Sequence, residues 1–538
     1  WYNPWIMNLN LDNIHKVVCL GIGGGDLSYI SKFLFYLDIE VEGFDIAVNE
    51  RIKELERLGV NIHHRNPEGK LPQTDLVIYS DALPDNLLQE LKRENEGVRF
   101  IEVGRIKRFL ADAYESNTLT KKQLQAIKKA DIFPLYSFKP RGMKLIGVTG
   151  TDGKTTVVSM LHHMLLKSGF RPAMISTVGS KIVRKHTSTG LHVTTPSSHE
   201  IYESLLLMQK RRCTHVIIEC TSQGLYMGRV AGLKFDVAVY TNITRDHLKY
   251  HKTWNNYALA KSLLITQNLK KGGCAVLNKD DVKSFNFLTK FTSRYISYTT
   301  SKHNTGTNVV KAYNIKESSE GISFMIDGQK YVIPVIGKYN VSNALAAISA
   351  LKVLGIDDKN MNTLLRDFSS VLGRMNVLQK EPFFVIVDFA HTPNALESAL
   401  MSVSKLKKEN SKIILVFGCA SQRDDYKRPI MGRYAKKYAD ITILTAEDCR
   451  MESLKKINDE IEKGWKEYKT NEKRQLIRFD DDTHNIKVRR DAIKKAISLA
   501  GSGDIVLITG KGHERSLCFG LREYKWNDIA EVKRLIRK

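Results

Sequence analysis

Residues Met143 to Leu165 read MKLIGVTGTDGKTTVVSMLHHML, an apolar strand-like run that passes through a loop of glycine and threonine into a helix-like run headed by Lys154 and Thr155. Gly147, Gly150 and Gly153 let backbone N–H groups close on an anion, and the start of the following helix adds a favourable dipole. Lys154 would then face the β- and γ-phosphates of a nucleotide, with Thr155 placed to ligate Mg2+. Gly147 stands one residue too early for the GxxxxGK[ST] pattern, so the stretch reads as a phosphate loop of irregular spacing.

A nucleotide site needs metal ligands, and two later segments offer them: Glu219 in VIIECTSQGL and His247 in YTNITRDHLKYH. Singly, the first reads equally as a helix cap and the second as a core histidine. Both follow apolar strands, which is where open α/β sheets collect their ligands. A second glycine turn, GIGGGDLS, holds Gly21, Gly23 and Gly24, with Asp45 downstream as in a dinucleotide fold. Asp26 occupies the place of the expected third glycine, so this turn reads either as a weak dinucleotide signature or as a cradle for another phosphate.

Outward from these motifs, apolar runs alternate with helical patterns nearly throughout the 538 residues, which predicts α/β layers on mainly parallel sheets. At roughly 100 to 200 residues per domain, the chain should hold three. We place them at residues 1–140, 141–370 and 371–538: a Rossmann-like first domain, a central P-loop-type ATPase domain and a Rossmann-like third domain. The Lys-rich stretch YESNTLTKKQLQAIKKADIFPLYSFKPRG reads as a polar linker between the first two.

Composition excludes several classes. Hydrophobic content of 42% and charged content of 26% suit a globular protein. No apolar run reaches the roughly 18 residues of a membrane span, so a soluble protein is expected. The seven cysteines are scattered without a CxxC pair, which suits a reducing cytoplasm and no structural metal. The net charge of +25 is spread over helix-like stretches without interleaved aromatics, so it reads as a solvated surface, with no nucleic-acid partner. The opening WYNPWIMNLN has no basic leader or apolar segment to argue for export, and Met7 is a candidate start. A monomer is expected.

In order along the chain come GVTGTDGKTT, TTP, IIECTS, FDVAVYTNITRDHLKYH, NYALAKSLL, GKYNVSNALAAI, GRMNVL, VDFAHTP, KRPIMG and GKGHE. This series, across residues 141–538, resembles the Mur ligases of peptidoglycan precursor synthesis, and their tripeptide-forming branch in particular. The first block, with GIGG, VEGFD and DLVIYSDAL, is similar instead to the N-terminal domain of the alanine-adding branch.

The resemblance implies an ATP- and Mg2+-dependent amide ligase. ATP would phosphorylate the free D-Glu carboxylate of UDP-N-acetylmuramoyl-L-alanyl-D-glutamate, and an amine of a diamino acid would displace the phosphate. It implies that Gly150, Thr151, Gly153, Lys154, Thr155 and Thr156 hold ATP, and that Thr155, Glu219, His247 and a carbamylated Lys261 hold metal. Asn340, Asn343, Arg374, Asp388 and His391 would complete the ATP site from separate blocks, so productive geometry should require domain closure. Lys154, Glu219, His247, Lys261 and Arg374 would carry catalysis.

For the nucleotide-sugar substrate the resemblance implies Gly21, Gly23, Gly24, Thr194, Thr195, Thr221 and Arg229, while Val193 and Met227 stand where some members have Asn and Gln. For the amino acid it implies Arg423, Glu447, Asp448, Arg450, Gly510 and Glu514. The selective tetrapeptide, usually Asp-Asn-Pro-Arg, is here EDCR, Glu447 to Arg450. An arginine fork at Arg450 suits the distal carboxylate of meso-diaminopimelate, which lysine lacks. The same chemistry with L-lysine or another acceptor, and a non-catalytic nucleotide-binding regulator, are the alternatives.

Overall fold

The alternation of apolar runs and helices resolves into three main sheets in the computed structural model, which describes residues 11–80, 83–187, 194–304, 306–356, 361–421, 425–480, 485–520 and 522–537. The first sheet is parallel, in the order β3-β2-β1-β4-β5, from β1 (Lys16–Leu20), β2 (Glu40–Phe44), β3 (Asn61–His63), β4 (Leu76–Tyr79) and β5 (Arg99–Glu102). Strand order reverses between β1 and β4, so a crevice opens beyond their carboxyl ends.

The central sheet is built from β6 (Lys144–Thr149), β7 (Pro172–Ser176), β8 (Gly179–Ile182), β9 (Lys185–Thr187), β10 (His215–Glu219), β11 (Phe235–Tyr240), β12 (Leu269–Asn278), β13 (Tyr295–Thr299) and β14 (Val309–Lys311). Its order is β14-β13-β12-β11-β6-β10-β7-β8-β9, antiparallel only from β7 to β9. β6 therefore lies between β11 and β10, and the loops that follow all three share one edge. Helices cover both faces, which is why these strands read as unbroken apolar runs. Ile146 and Val148 pack with Val157, Leu161 and Val341 on one side, while Leu145, Phe235 and Leu264 form the core on the other.

A small antiparallel sheet of β15 (Tyr313–Ser318), β16 (Gly321–Ile326) and β17 (Gln329–Ile333) follows. The third main sheet runs β18-β19-β23-β20-β21-β22, from β18 (Asn376–Gln379), β19 (Phe384–Val387), β20 (Ile413–Phe417), β21 (Ile441–Leu444), β22 (Gln475–Arg478) and β23 (Ile505–Ile508), parallel except at β18. The hairpin of β24 (Ser516–Phe519) and β25 (Arg522–Lys525) extends beside it. Among the described residues, no helix is long and apolar enough to cross a membrane.

The Lys-rich stretch read as a linker is a structured brace. Thr120 and Gln123 form a capping box that starts the helix Lys121–Ala130. Ala126, Ile127, Ala130, Ile132 and Phe133 sink into the first core, and Leu135 and Phe138 into the central one. The lysines occupy the outer face and hide this apolar stripe from a reading based on composition.

In the third domain Arg489 and Asp528 are fully buried and paired at 2.7 Å. The guanidinium also donates to the carbonyls of Ala446 and Thr509 (2.9 Å each), and the Trp526 indole donates to Asp528 at 2.7 Å. One cation thus ties the loop after β21 to the loop after β23. Replacing Arg489 by Ala leaves a buried carboxylate uncompensated and should destabilise the protein by about 3–5 kcal/mol. Differential scanning calorimetry of the full chain checks this, and a change below about 1 kcal/mol would contradict the role.

Candidate functional site

The turn after β6 admits no side chain at its two glycines. Gly150 has φ +151°, and a Cβ there would lie 1.8 Å from Thr241 Oγ1; Gly153 has φ +83°, and a Cβ there would lie 2.3 Å from Asn343 Oδ1. The segment after β11 staples this turn. Thr151 N donates to Asn242 O at 2.8 Å, Asp152 N to Asn242 Oδ1 at 2.9 Å, and Thr241 Oγ1 to Asp152 O at 2.6 Å. These bonds use the amides at 151 and 152, so the anion-facing end of the loop is the first turn of the helix Lys154–Lys167, with Thr155 and Thr156. Gly147 does not belong to the cradle: it sits within β6, opposite Ile218 and Ala238, where a Cβ would meet Leu264 at 2.7 Å. Close packing requires that glycine, which explains the irregular spacing.

Glu219, the last residue of β10, is 1% exposed and accepts from Thr155 Oγ1 (3.1 Å), Thr177 Oγ1 (3.0 Å) and Thr177 N (3.0 Å). Thr177, which the motifs do not single out, also meets the Thr194 hydroxyl, with 3.0 Å between their oxygens. The Thr155 hydroxyl and Glu219 carboxylate are hard oxygen donors that suit Mg2+, an ion that keeps waters and phosphate oxygens as further ligands. Among the described residues no group of three or more His, Cys, Asp or Glu could hold a metal alone, so a nucleotide would have to supply the rest of the coordination.

Lys154 Nζ donates to Thr151 O at 2.8 Å. Lys261 approaches the same loop from the helix Trp254–Thr266, is 1% exposed, donates to Gly150 O at 2.6 Å and lies 4.5 Å from the Tyr257 ring centre. Burial, reinforced by the nearby Lys154 charge, holds its ammonium well below the usual lysine range. His247, at φ +53°, caps the short helix after β11 and pairs with Asp246 at 3.2 Å. Burial would raise the Asp246 carboxyl, but His247, His391 and Lys427 outweigh it and bring it down to about 2.

The third domain closes over this loop. Arg374 Nη2 lies 3.5 Å from Thr155 Oγ1, and Asn394 Nδ2 donates to Asp152 Oδ2 at 3.0 Å. Lys427 Nζ donates to His391 O at 2.7 Å. Asp388 is buried with both oxygens spent on backbone amides, those of Met375 (2.7 Å) and Ala390 (2.8 Å); it organises the Arg374 turn and does not project from it. Asn343 donates to Asn340 Oδ1 at 3.1 Å and Asn340 to Ile336 O at 2.8 Å, so this pair buttresses Gly153 from the helix Tyr339–Val353.

A cavity of about 230 Å³ opens between the first and central domains, lined among others by Gly24, Gly25, Arg51, Ser80, Met227 and Arg229. The glycine turn is largely self-satisfied: Gly21 N donates to Phe44 O, Gly24 N to Gly21 O, and Gly23 N to Asp45 Oδ2. Asp45 thus staples the turn and is not left to meet a ribose. Asp26 pairs with the buried Lys107 at 2.6 Å, and Lys107 reaches Ser198 of the central domain at 3.0 Å. From the cavity, contacts lead toward the phosphate loop. Arg229 donates to Thr195 O (3.0 Å), and Thr195 Oγ1 contacts Thr221 Oγ1 (3.1 Å) and donates to Glu219 O (2.9 Å). Val193 lies outside the described residues.

The residues expected to read an amino acid cluster beyond β21 and β23. Asp448 accepts from Lys511 Nζ (2.8 Å) and Cys518 N (2.9 Å), and Lys511 pairs with Glu514 at 2.5 Å. Gly510, at φ +105°, lies against the buried Glu447, where a Cβ would come within 3.0 Å of Oε2. Arg450 has an exposed side chain and a backbone joined to the β24 segment, with its N on Cys518 O at 3.2 Å. Arg423 lies outside the described residues.

This geometry is that of a three-domain, nucleotide-using α/β protein whose phosphate loop is roofed by its third domain. Residues 16–117 match the Mur ligase family catalytic domain, 148–351 the Mur ligase middle domain and 373–512 the Mur ligase glutamate ligase domain; the chain belongs to the Mur ligase family. It is 34% identical over 386 residues to the UDP-N-acetylmuramoyl-L-alanyl-D-glutamate--2,6-diaminopimelate ligase of Clostridium botulinum, covering 70% of this chain and 75% of that one. A solved structure of a ligase of that name is 25% identical, with 94% and 98% of the two chains covered and a TM-score of 0.52. The UDP-N-acetylmuramate-alanine ligase of Thermotoga maritima shares the fold at 19% identity, 98% and 99% coverage and a TM-score of 0.50.

The Thr177 hydroxyl pins one oxygen of Glu219 and its amide the other, so Thr177→Val, which removes the hydroxyl bond and keeps the amide, should weaken Mg2+-dependent nucleotide binding by about tenfold, as loss of a partner behind a metal ligand commonly does. Titration calorimetry at graded Mg2+ measures it; an unchanged Mg2+ requirement would contradict the assignment.

Proposed function

We propose that the protein is an ATP-dependent acid–amino acid ligase that joins a diamino acid, meso-2,6-diaminopimelate, to UDP-N-acetylmuramoyl-L-alanyl-D-glutamate during peptidoglycan precursor synthesis. The observation that carries the reading is the reach of Arg374 to within 3.5 Å of Thr155, because it brings the domain bearing Lys511, Glu514 and Arg450 onto the phosphate loop. The names of relatives at 34% identity support the acceptor.

A carboxylate is a poor acyl donor, and its oxygen must become a good leaving group first. The D-Glu carboxylate attacks the γ-phosphorus of ATP, ADP leaves, and an acyl phosphate forms. The acceptor amine then adds to the acyl carbon, loses its proton and expels inorganic phosphate, leaving the amide. Lys154 and Arg374 neutralise charge on the transferring oxygens from opposite sides of the loop. Thr155 and Glu219 would hold one magnesium ion, and His247 with a carbamate on Lys261 another, where they supply Lewis-acid charge to the phosphates. Asn340, Asn343, Asp388 and His391 keep the loop and the Arg374 turn in place. Arg229, Thr194, Thr195 and Thr221 line the way from the UDP cavity, with Met227 as an apolar wall.

The acceptor is tested by incubating the purified protein with ATP, Mg2+, the UDP-dipeptide and either meso-diaminopimelate or L-lysine and recording product masses. Diaminopimelate should be joined faster, and Lys154→Ala should abolish ligation. Faster lysine incorporation would sink the acceptor assignment, and unchanged turnover in Lys154→Ala would refute the role of that lysine.

The carbamate is supported by the buried Lys261 amine, whose protonation burial and the nearby Lys154 charge disfavour. Only the unprotonated amine reacts with CO2, so the modification should be lost as pH falls through the lysine's lowered folded-state pKa. Stripping CO2 and bicarbonate should slow ligation, and added bicarbonate should restore it. Lys261→Ala should be inactive in both conditions, and a wild-type rate indifferent to CO2 would count against the carbamate.

A further inference from the structure

Phe389, between Asp388 and Ala390, is surrounded by three site groups. The Arg374 guanidinium carbon lies 4.4 Å from its ring centre, the His391 ring 4.5 Å and the His513 ring 4.7 Å. Glycines allow the loops to meet here. Gly373, at φ +72°, would place a Cβ 2.2 Å from His513 N, and Gly512, at φ +48°, would place one 2.8 Å from Phe389 Cβ. His513 Nδ1 is buried without a hydrogen-bond partner, and burial, with Arg374 and Lys511 near, brings the imidazole down to about 3, so it packs as a neutral ring. Next to it in sequence, Lys511 and Glu514 carry the ion pairs of the amino-acid cluster.

We propose that Phe389 is a positioning residue that seats the Arg374 cation on its ring face and holds it in register with the 510–514 loop. It thereby couples the acceptor side of the site to the nucleotide side. A cation over an aromatic face is held by the ring quadrupole, a directional attraction that an aliphatic side chain of similar volume lacks. The inference deepens the reading above, since it rests on Arg374 serving the nucleotide and the 510–514 loop serving the acceptor.

The test is a mutant cycle read by calorimetric binding of the β,γ-methylene analogue of ATP with Mg2+. Phe389→Leu should weaken binding about fivefold, the usual scale of such a contact, while Phe389→Tyr should stay within about twofold. His513→Ala should weaken binding about threefold beside Phe389 and add nothing in the Phe389→Leu background, because both changes remove the same seat. In ligation assays Phe389→Leu should lower kcat and leave the KM for the UDP-dipeptide in place. Melting temperatures of the same preparations separate misfolding from mispositioning, and Phe389→Met gives a flexible side chain of similar bulk without a ring face. Multiplicative effects of the two substitutions would overturn the proposal, as would a Met or Leu variant that binds as tightly as Tyr. A cycle that behaves as expected in a protein that ligates no amino acid would leave the seating of Arg374 by Phe389 standing and sink both the coupling to an acceptor and the function proposed above.

Discussion

The absence of space at Gly150 is the constraint on which the rest depends. The turn after β6 lies so close to Thr241 that a Cβ would sit 1.8 Å from its hydroxyl, at the edge where the parallel order of β11, β6 and β10 brings their carboxyl ends together. Glu219 then falls beside Thr155, Lys261 reaches Gly150 O, and Asn343 closes behind Gly153. Each group is held by protein partners on the adjoining loops and helices, so the site is organised before any ligand arrives. Such preorganisation is what charge stabilisation requires, because dipoles already in place cost no reorganisation during reaction.

Polar contacts join the central and third domains at this site, beside the packing of Ile336 and Tyr339 against the third-domain core. Asn394 meets Asp152, Arg374 meets Thr155, and Asp246 faces Lys427 and His391. Glu317 and Glu320 of the small antiparallel sheet pair with Lys405 and Lys380 farther out. Seams of this kind are weak enough to open and directional enough to close in one register, as expected where substrates must enter and water must then be excluded. The third domain itself is stiffened around the Asp448–Lys511 cluster: Arg489 and Asp528 form a fully buried ion pair, and the buried Arg428 pairs with the half-buried Glu452 and Glu460, so that different loops and helices are tied together.

Much of the phosphate side was legible in the sequence because it is local. Gly150, Gly153, Lys154 and Thr155 lie in one strand–loop–helix, and Glu219 ends an apolar strand. Local reading also went astray where a residue type has two uses. Gly147 looked like part of the cradle and is instead a packing position in β6; Asp45 looked like the acidic residue downstream of a dinucleotide turn and staples Gly23; the lysines of residues 121–129 concealed a helix that braces two cores. Thr177 and Asn394 carried no readable signal, and Lys427 and Phe389 lay within the motifs KRPIMG and VDFAHTP without a role, since what each touches is set by the fold.

By itself, then, the sequence determined the three α/β units, the phosphate loop and the residue types that face it, because periodicity, glycine placement and strand-end position are properties of neighbouring residues. Only the tertiary structure decided which amides remain for an anion, which carboxylates are already spent on backbone, and which third-domain side chains roof the loop. Those outcomes depend on distances between segments tens to hundreds of residues apart, set by sheet order and by the few points, such as Gly150 and Gly373, where another segment approaches too closely for any Cβ.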